Sequence, residues 1–549
     1  MPPVSAAILL SSAVGRAAAR LSQLLGRSGA VLLIVCVAAA FLCRFAAMVW
    51  LPLTPEEAYY WTYAQHPSLS YYDHPPMVAW LIGAGTALLG NTELGVRLVG
   101  GLLMLGASAL LYQFGRMWFS RPAGLLAAAA IQILPLYFGA GLIATMDSSL
   151  MFFWALGMVG ISYALQRGRP WGWYLAGLAL GGMLLSKYTG AAFFTGVGLA
   201  VVVHRPWRRQ LLSIHPWLAL LPAAACFSPV LVWNFRHEWV SFRFQLYSRF
   251  DQPPNAIRNL TQFLSFQLLA LTPVVLWDAG AMLARLGRAP RRLLRGRHVL
   301  AISLGLPLLA VLAYKSLATD IHVNWTLPAH LGLLPAVTHE LILRWRRGRT
   351  LRRKRIMAFG WVATACLCAS ITGGYLVYSM TASPGMPATS HTGPWPQLAV
   401  IVQEYVDRVY AQTGREPLVI GDGRYRLASV LGFYRTPLSV RVRATDYTTS
   451  QWPLGGEGLG YAHWSTLAQW IGRDVVLVVD SAHADIFLET KGRLDSLQMI
   501  EDPRLAALSR GRIRMAVGRN LRPEPATPQT GSVAPARTST SARGSHRRS

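Results

Sequence analysis

Apolar runs near twenty residues long alternate with short polar stretches from residue 29 to residue 379. A helix rises 1.5 Å per residue, so about twenty apolar residues cross a hydrocarbon core roughly 30 Å thick. Such runs lie at 29–50, 97–115, 122–143, 148–166, 171–186, 190–203, 216–234, 261–284, 299–315, 325–343 and 357–379, which predicts about eleven crossings. The pair 171–186 and 190–203 is short and shares a break at Ser186-Lys187-Tyr188-Thr189-Gly190. It reads as two tilted helices or one broken hairpin. The run 77–90 is too short to cross alone and reads as a helix lying at the interface. After residue 379 the pattern changes. PLVIGD (417–422) reads as a buried strand, YRLASVLGFY (425–434) as an amphipathic helix, and DVVLVVD (474–480) as a second strand. The expected fold class is mainly α and polytopic, with a small C-terminal α/β domain. The expected divisions are a cytoplasmic segment 1–28, a membrane domain 29–379 with a first outer loop 51–96, an α/β domain 380–520, and a disordered tail 521–549 rich in Pro, Ser, Thr and Arg.

Composition sharpens this picture. Of 549 residues, 53% are hydrophobic and 14% charged, whereas a soluble chain carries about 25% charge. Mean hydropathy is +0.34. Disorder and collagen are excluded, and five Cys, all in apolar runs, are too sparse for a disulfide scaffold. The net charge of +28 sits in short runs between the apolar segments. These are Arg16, Arg20 and Arg27; Arg116 and Arg121; Arg167 and Arg169; Arg205, Arg208 and Arg209; Arg285 to Arg297; and RWRRGRTLRRKR at 344–355. The loop 51–96 has no Lys or Arg. Positive charge marks cytoplasmic loops, so the basic face is cytoplasmic and loop 51–96 and the C-terminal domain face outward. No nucleic-acid partner is expected. Arginines before 29–50 resemble the start of a signal peptide, but the run is long and lacks a small-residue cleavage site, so it reads as a retained span.

The unusual polar residues gather on the outer side. Loop 51–80 carries adjacent Glu56 and Glu57, then Asp73 and His74 before a double Pro, interleaved with Tyr59, Tyr60, Trp61, Tyr63, Tyr71 and Tyr72. An aromatic belt with solvated acids would use the same residue types. Acids and a His among so many aromatics, with no base in the loop to neutralise them, read as a site. Asp147 sits at a tip between two spans, Lys187 in the break between two short helices, and Arg44 inside the first span. Ionisable groups at membrane depth are functional candidates; snorkelling for Arg44 and Lys187, and a helix cap for Asp147, are the structural alternatives. The connection 315–330 adds Lys315, Asp320, His322, Asn324 and Trp325. No Walker A pattern, H-E-x-x-H, paired C-x-x-C or D-x-D occurs.

PEEAYYW, YYDHPP, ATMDSSLMFFWAL, LLSKYTG and HVNWTLPAHLGLLPA follow one another across roughly residues 30–345. Together they resemble the bacterial branch of the protein O-mannosyltransferase and lipid A aminoarabinose transferase superfamily, the GT-C integral membrane glycosyltransferases. Segment 417–434 looks like the distal part of many bacterial members. The resemblance implies a GT-C fold and inverting transfer of a sugar from a polyprenyl (undecaprenyl) phosphate donor. The acceptor, at the outer face of a bacterial inner membrane, would be lipid A, another glycan or a protein hydroxyl. The family's loop usually begins Asp-Glu; here Glu56 and Glu57 stand there, and either would be the base or acceptor-orienting acid. The aminoarabinose enzymes have Lys before the double Pro, where this chain has His74; a neutral His would bind phosphate less strongly, so the donor or its anchoring would differ. Lys187 matches the family's Lys and Asp147 its second acid.

The implied catalytic residues are Glu56, Glu57 and Asp147. Arg44, Tyr59, Tyr60, Asp73, His74, Lys187, Tyr188, His322 and Asn324 are the implied substrate-binding residues. The chemistry is consistent: a departing phosphate needs positive charge, and an acceptor hydroxyl needs a base. No cofactor is assigned; Asp147 and Asp73 would position hydroxyls directly or through a divalent metal ion. Membrane lipids are the remaining expected partners. The alternative is a transporter or flippase of a lipid-linked or small anionic substrate, but no repeat relates the two halves.

Overall fold

The computed structural model describes residues 37–246, 255–347, 366–374, 377, 393–481, 486–489 and 492–523. The N-terminal segment 1–28, nearly all of the tail 521–549, most of the basic run 344–355 and most of the expected span 357–379 lie outside them. Helix α1 (Val37–Trp50) leads through a 70° bend into α2 (Pro55–Gln65). Then follow α3 (Met77–Leu89), α4 (Glu93–Trp118), α5 (Arg121–Ile133), α6 (Pro135–Leu142), α7 (Met146–Arg167), α8 (Trp171–Ser186) and α9 (Ala191–Val203). The bundle continues with α10 (His215–Arg236), α11 (Val240–Leu246), α12 (Ala256–Gly287), α13 (Gly296–Lys315) and α14 (Leu333–Arg347).

Five described helices, α4, α7, α10, α12 and α13, are long and apolar enough to cross a membrane, or up to seven spans if each of two bent pairs counts as one. The sequence reading counted about eleven, and the local chemistry shows where continuous apolar runs divide. Leu134 is extended (φ −60°, ψ 131°) before Pro135, so 122–143 becomes α5 and α6 bent by 67°. The run 325–343 breaks into a 3₁₀ turn, a four-residue helix at Leu327–His330, and α14. The pair 171–186 and 190–203 is two helices parted at Lys187, whose backbone is extended (φ −161°, ψ 135°).

Within the bundle α7 packs on α4 and α8, and α4 on α5. Small residues let α7 and α8 approach. A Cβ on Gly172 would lie 2.4 Å from the Gly160 carbonyl oxygen, and one on Gly160 would lie 2.9 Å from the Gly172 carbonyl oxygen. Close backbone approach of this kind is how helices bind each other where lipid removes the hydrophobic drive.

The C-terminal part opens with α15 (Trp395–Thr413), then β1 (Leu418–Gly421), α16 (Arg426–Arg435), β2 (Thr448–Ser450), β3 (Val475–Asp480), β4 (Ser496–Ile500), α17 (Pro503–Ser509) and β5 (Ile513–Arg519). The sheet order is β2-β1-β3-β5-β4. β1 runs parallel to β2 and β3, and β5 antiparallel to β3 and β4. The expected amphipathic helix is α16, but Leu427 through Arg435 are all buried. One side of α16 meets the sheet and another meets α2, so no face is left for water. Leu53, Tyr59, Trp61 and Val78 therefore share one core with Leu398, Val406, Phe433 and Val476. The first loop and the C-terminal domain are packed as one body.

Candidate functional site

Glu57 holds the site's frame. Thr54 caps α2 by accepting from the Glu57 amide at 3.2 Å, and the Glu57 carboxylate accepts from the Thr54 amide at 2.9 Å. Arg97, from the first turn and a half of α4, donates its Nε at 2.7 Å and its Nη2 at 2.8 Å to the two Glu57 oxygens. The Ala144 amide donates at 2.9 Å. Glu57 is fully buried and Arg97 nearly so. The same guanidinium reaches the Leu51 and Pro52 carbonyls at 2.6 and 2.9 Å. Sequence reading took the loop's acids as unneutralised. The neutralising cation stands one residue beyond the loop, at the start of an apolar span, and an ionisable residue there was the available signal.

Glu56 is the opposite case. It is half-buried and makes no hydrogen bond or ion pair to a described residue. Helix α2 places it on the face shared with Tyr59, three residues on. Tyr59 stacks on Tyr425, ring centroids 4.4 Å apart. The Tyr425 hydroxyl is pushed up by burial and then by the nearby Glu56 charge. Tyr425 enters at the β1–α16 turn, where Gly423 takes φ 79°, and sequence reading did not single it out.

Asp147 and Lys187 form a buried ion pair, Nζ to Oδ1 3.0 Å. Asn324 donates its amide to the other Asp147 oxygen. The Trp325 ring lies 5.6 Å from the ammonium, and His322 packs beside Trp325 at 5.2 Å. Asp147 is in the first turn of α7, but Thr145, not Asp147, is the cap residue. Ala144, bound by Glu57, precedes Asp147 by three residues. The frame that fixes Glu56 therefore also fixes the start of the helix carrying Asp147 and, through it, Lys187.

Asp73 is held from α2: Tyr59 donates at 3.2 Å and Tyr63 also donates to its Oδ1. His74 Nε2 lies 3.8 Å from Oδ2, and Tyr60 packs edge-on against His74 at 5.7 Å. The Gly460 amide of the C-terminal domain donates to the Tyr59 hydroxyl at 2.9 Å. Tyr188 bonds Ser241 at 3.0 Å and packs against Phe242 and Phe227.

Arg44 stands apart from these groups. Its guanidinium donates to Gln132 at 2.5 Å and lies over the Phe138 ring at 4.6 Å. Being fully buried in the bundle, it neither snorkels nor joins Lys187. Among the described residues no three His, Cys, Asp or Glu side chains gather as a metal needs. Both oxygens of Asp147 already accept donors, and the residues present do not fit a divalent ion there.

A broken-helix bundle, a first loop rich in buried charge and a docked mixed-sheet domain define a polytopic membrane protein of the GT-C fold class. The comparisons agree. The family model for dolichyl-phosphate-mannose-protein mannosyltransferases matches residues 73–233. Lipid A galacturonosyltransferase RgtD of Rhizobium johnstonii is 25% identical over 299 residues, 54% of this chain and 62% of that protein. The undecaprenyl phosphate-alpha-4-amino-4-deoxy-L-arabinose arabinosyl transferase of Pseudomonas paraeruginosa is 27% identical over 305 residues, 53% of this chain and 54% of that one. The matches thus span little more than half the length of these relatives. Among solved structures, ArnT of Cupriavidus metallidurans in the apo state superposes with TM-score 0.62 at 15% identity, covering 90% of this chain and 99% of that one. Its undecaprenyl phosphate complex gives 0.55 at 17% identity, covering 88% and 97%. The chain shares the fold of ArnT over most of its length.

Proposed function

We propose that this protein is an integral membrane glycosyltransferase that moves a sugar from a polyprenyl-phosphate donor to an acceptor hydroxyl. The observation that carries the reading is the buried Asp147–Lys187 pair, 3.0 Å apart, tied through Ala144 and Glu57 to the helix that carries Glu56, which has no ion-pair partner among the described residues. Lys187 supplies the charge that the phosphate needs as it leaves, and Asp147 and Asn324 aim its ammonium. Lys187 spends one of its three N–H donors on Asp147, leaving two for phosphate oxygens. Glu56 takes the acceptor's proton or orients its hydroxyl. The carboxylate of Glu57 already accepts from four donors, so of the adjacent pair Glu56 is the acting acid and Glu57 the positioning one. Tyr59 and Tyr63 orient Asp73 toward substrate hydroxyls, beside His74 and Tyr60. Tyr188, His322 and Asn324 line the donor side. Arg44 is assigned to the bundle core.

The domain division 29–379 and 380–520 and the full set of about eleven crossings belong to this reading. So does an inner-membrane position with loop 51–96 and the C-terminal domain outside. The acceptor is a lipid, glycan or protein hydroxyl on that face, as the names of the relatives suggest. Incubating the purified full chain with radiolabelled undecaprenyl-phosphate sugar and envelope lipids tests the proposal. Label should move to an acceptor and free undecaprenyl phosphate should appear. Passage of intact labelled donor between leaflets of a vesicle, with no release, would support a flippase instead.

A further inference from the structure

A cavity of about 420 Å³ lies at the seam between the first loop and the C-terminal domain. Its lining includes Gln65 from the end of α2, Asn91 from the turn before α4, and Ser439, Val440, Arg443 and Thr445 from the segment between α16 and β2. The volume falls within the range of small-ligand sites, roughly 300–1,000 Å³. Nothing in the proposed transfer uses it.

Trp61 Nε1 donates to Asn91 Oδ1 at 2.9 Å, and Arg443 donates to Gln65 Oε1 at 3.3 Å. Each amide oxygen is therefore engaged, and each NH₂ group is left as a donor. The Ser439 hydroxyl donates to the Val442 carbonyl, so its proton is spent. Arg441 is matched by Asp407 and Glu416. Arg443 has no carboxylate within ion-pair distance among the described residues. What remains facing the cavity is the Arg443 guanidinium, two amide donors, and the acceptor oxygens of Ser439 and Thr445. The guanidinium and the two amides suit an anionic group, and the hydroxyl oxygens can accept from a polar group attached to it.

Position narrows the choice. Asn91 stands two residues before α4, a helix long enough to span a membrane. Beside it Leu88 is 78% exposed, and across the cavity Val440 is 88% exposed, with Leu438 also exposed. Apolar side chains at the rim, with cation and amides inside, match the boundary between acyl chains and headgroups. We propose that this cavity binds the phosphate of a lipid headgroup at the membrane surface. The site goes beyond the transfer reaction and does not depend on it.

The test is native mass spectrometry of the full chain in detergent. It is titrated with phosphatidylglycerol and with monogalactosyl diacylglycerol, which has tails but no phosphate. Phosphatidylglycerol should be retained and the galactolipid lost. Arg443→Gln should weaken retention by about tenfold, and Arg443→Lys should restore most of it. Asn91→Asp keeps the acceptor for Trp61 but puts negative charge where a donor was, so it should also lose about tenfold. Arg443 is exposed, so its variants test the site even if the Asn91 variant folds poorly. Wild-type retention in Arg443→Gln would overturn the proposal, as would equal retention of the galactolipid. Displacement by inorganic phosphate at the lipid's own concentration would overturn the lipid assignment. Binding is read without turnover, so a protein that transfers no sugar would leave these outcomes unchanged.

Discussion

Glu56 and Glu57 show how far one residue step changes chemistry. Both open α2, yet one faces the Tyr425 side half-buried and the other is locked by Arg97 and two backbone amides. Truncating Glu57 to Ala strands the Arg97 charge in the interior. Loss of one partner from a buried pair costs about 3–5 kcal/mol. Thermal unfolding of Glu57→Ala should show that loss, and a wild-type Tm would contradict the assigned role. Replacing both, as Glu57→Leu with Arg97→Met, should cost less than the two single changes added, because neither charge is then left alone. The motif located this pair of acids, but the division of labour between them was not legible. It depends on Arg97, forty residues away, and on where the Ala144 amide points.

The seam between α2 and α16 is the element that joins loop to domain. The Tyr434 hydroxyl accepts from the Leu53 amide at 2.7 Å and donates to Glu93 at 3.1 Å. Tyr434→Phe leaves a buried N–H without a partner, and should cost about 1–3 kcal/mol in unfolding free energy measured with denaturant. At the other end His66 stacks on Trp464 at 4.6 Å. Burial lowers the His66 pKa from its ordinary 6.5, although Asp446 opposes the shift and Arg443 adds to it. A His whose folded pKa is depressed binds more protons when unfolded, so stability rises with pH. The contribution is complete above about pH 6.5 and is lost as pH falls below it. Tm should therefore drop from pH 7 to pH 5, and drop less in His66→Phe. An equal drop in both would contradict this. The strands at 417–422 and 474–480 could be read from their apolar runs bounded by Asp and Gly. The burial of α16 on every side could not, because half of its partner surface is α2, more than 350 residues earlier.

At the scale of the whole molecule the domain has no independent surface where it meets the loop. Tyr425, Phe433 and Tyr461 are covered by Tyr59 and Trp61 of the first loop. A fragment of residues 393–523 made alone should expose this face and aggregate; a stable monomer would show that the shared core is dispensable. The membrane half was legible as apolar runs, since helix length and hydropathy are local properties. The break at Lys187 was legible too, but those at Leu134 and Thr326 were less so, because a Pro or a polar residue in an apolar run is tolerated by some packings and bends others. The ordered motifs across residues 30–345 marked Asp147, Lys187 and Asn324, which the fold brings into contact, whereas Arg44 bonds Gln132 on another helix, a partner that no local pattern announces.

In the proposed transfer Glu56 and Lys187 act on opposite ends of one reaction. Steady-state turnover and donor dissociation constant should be measured together for Glu56→Gln and Lys187→Ala. Glu56→Gln should lower turnover by about 10²–10⁴ and leave donor affinity unchanged. Lys187→Ala should weaken donor binding at least about tenfold. Wild-type turnover in Glu56→Gln, or undiminished donor affinity in Lys187→Ala, would contradict the account.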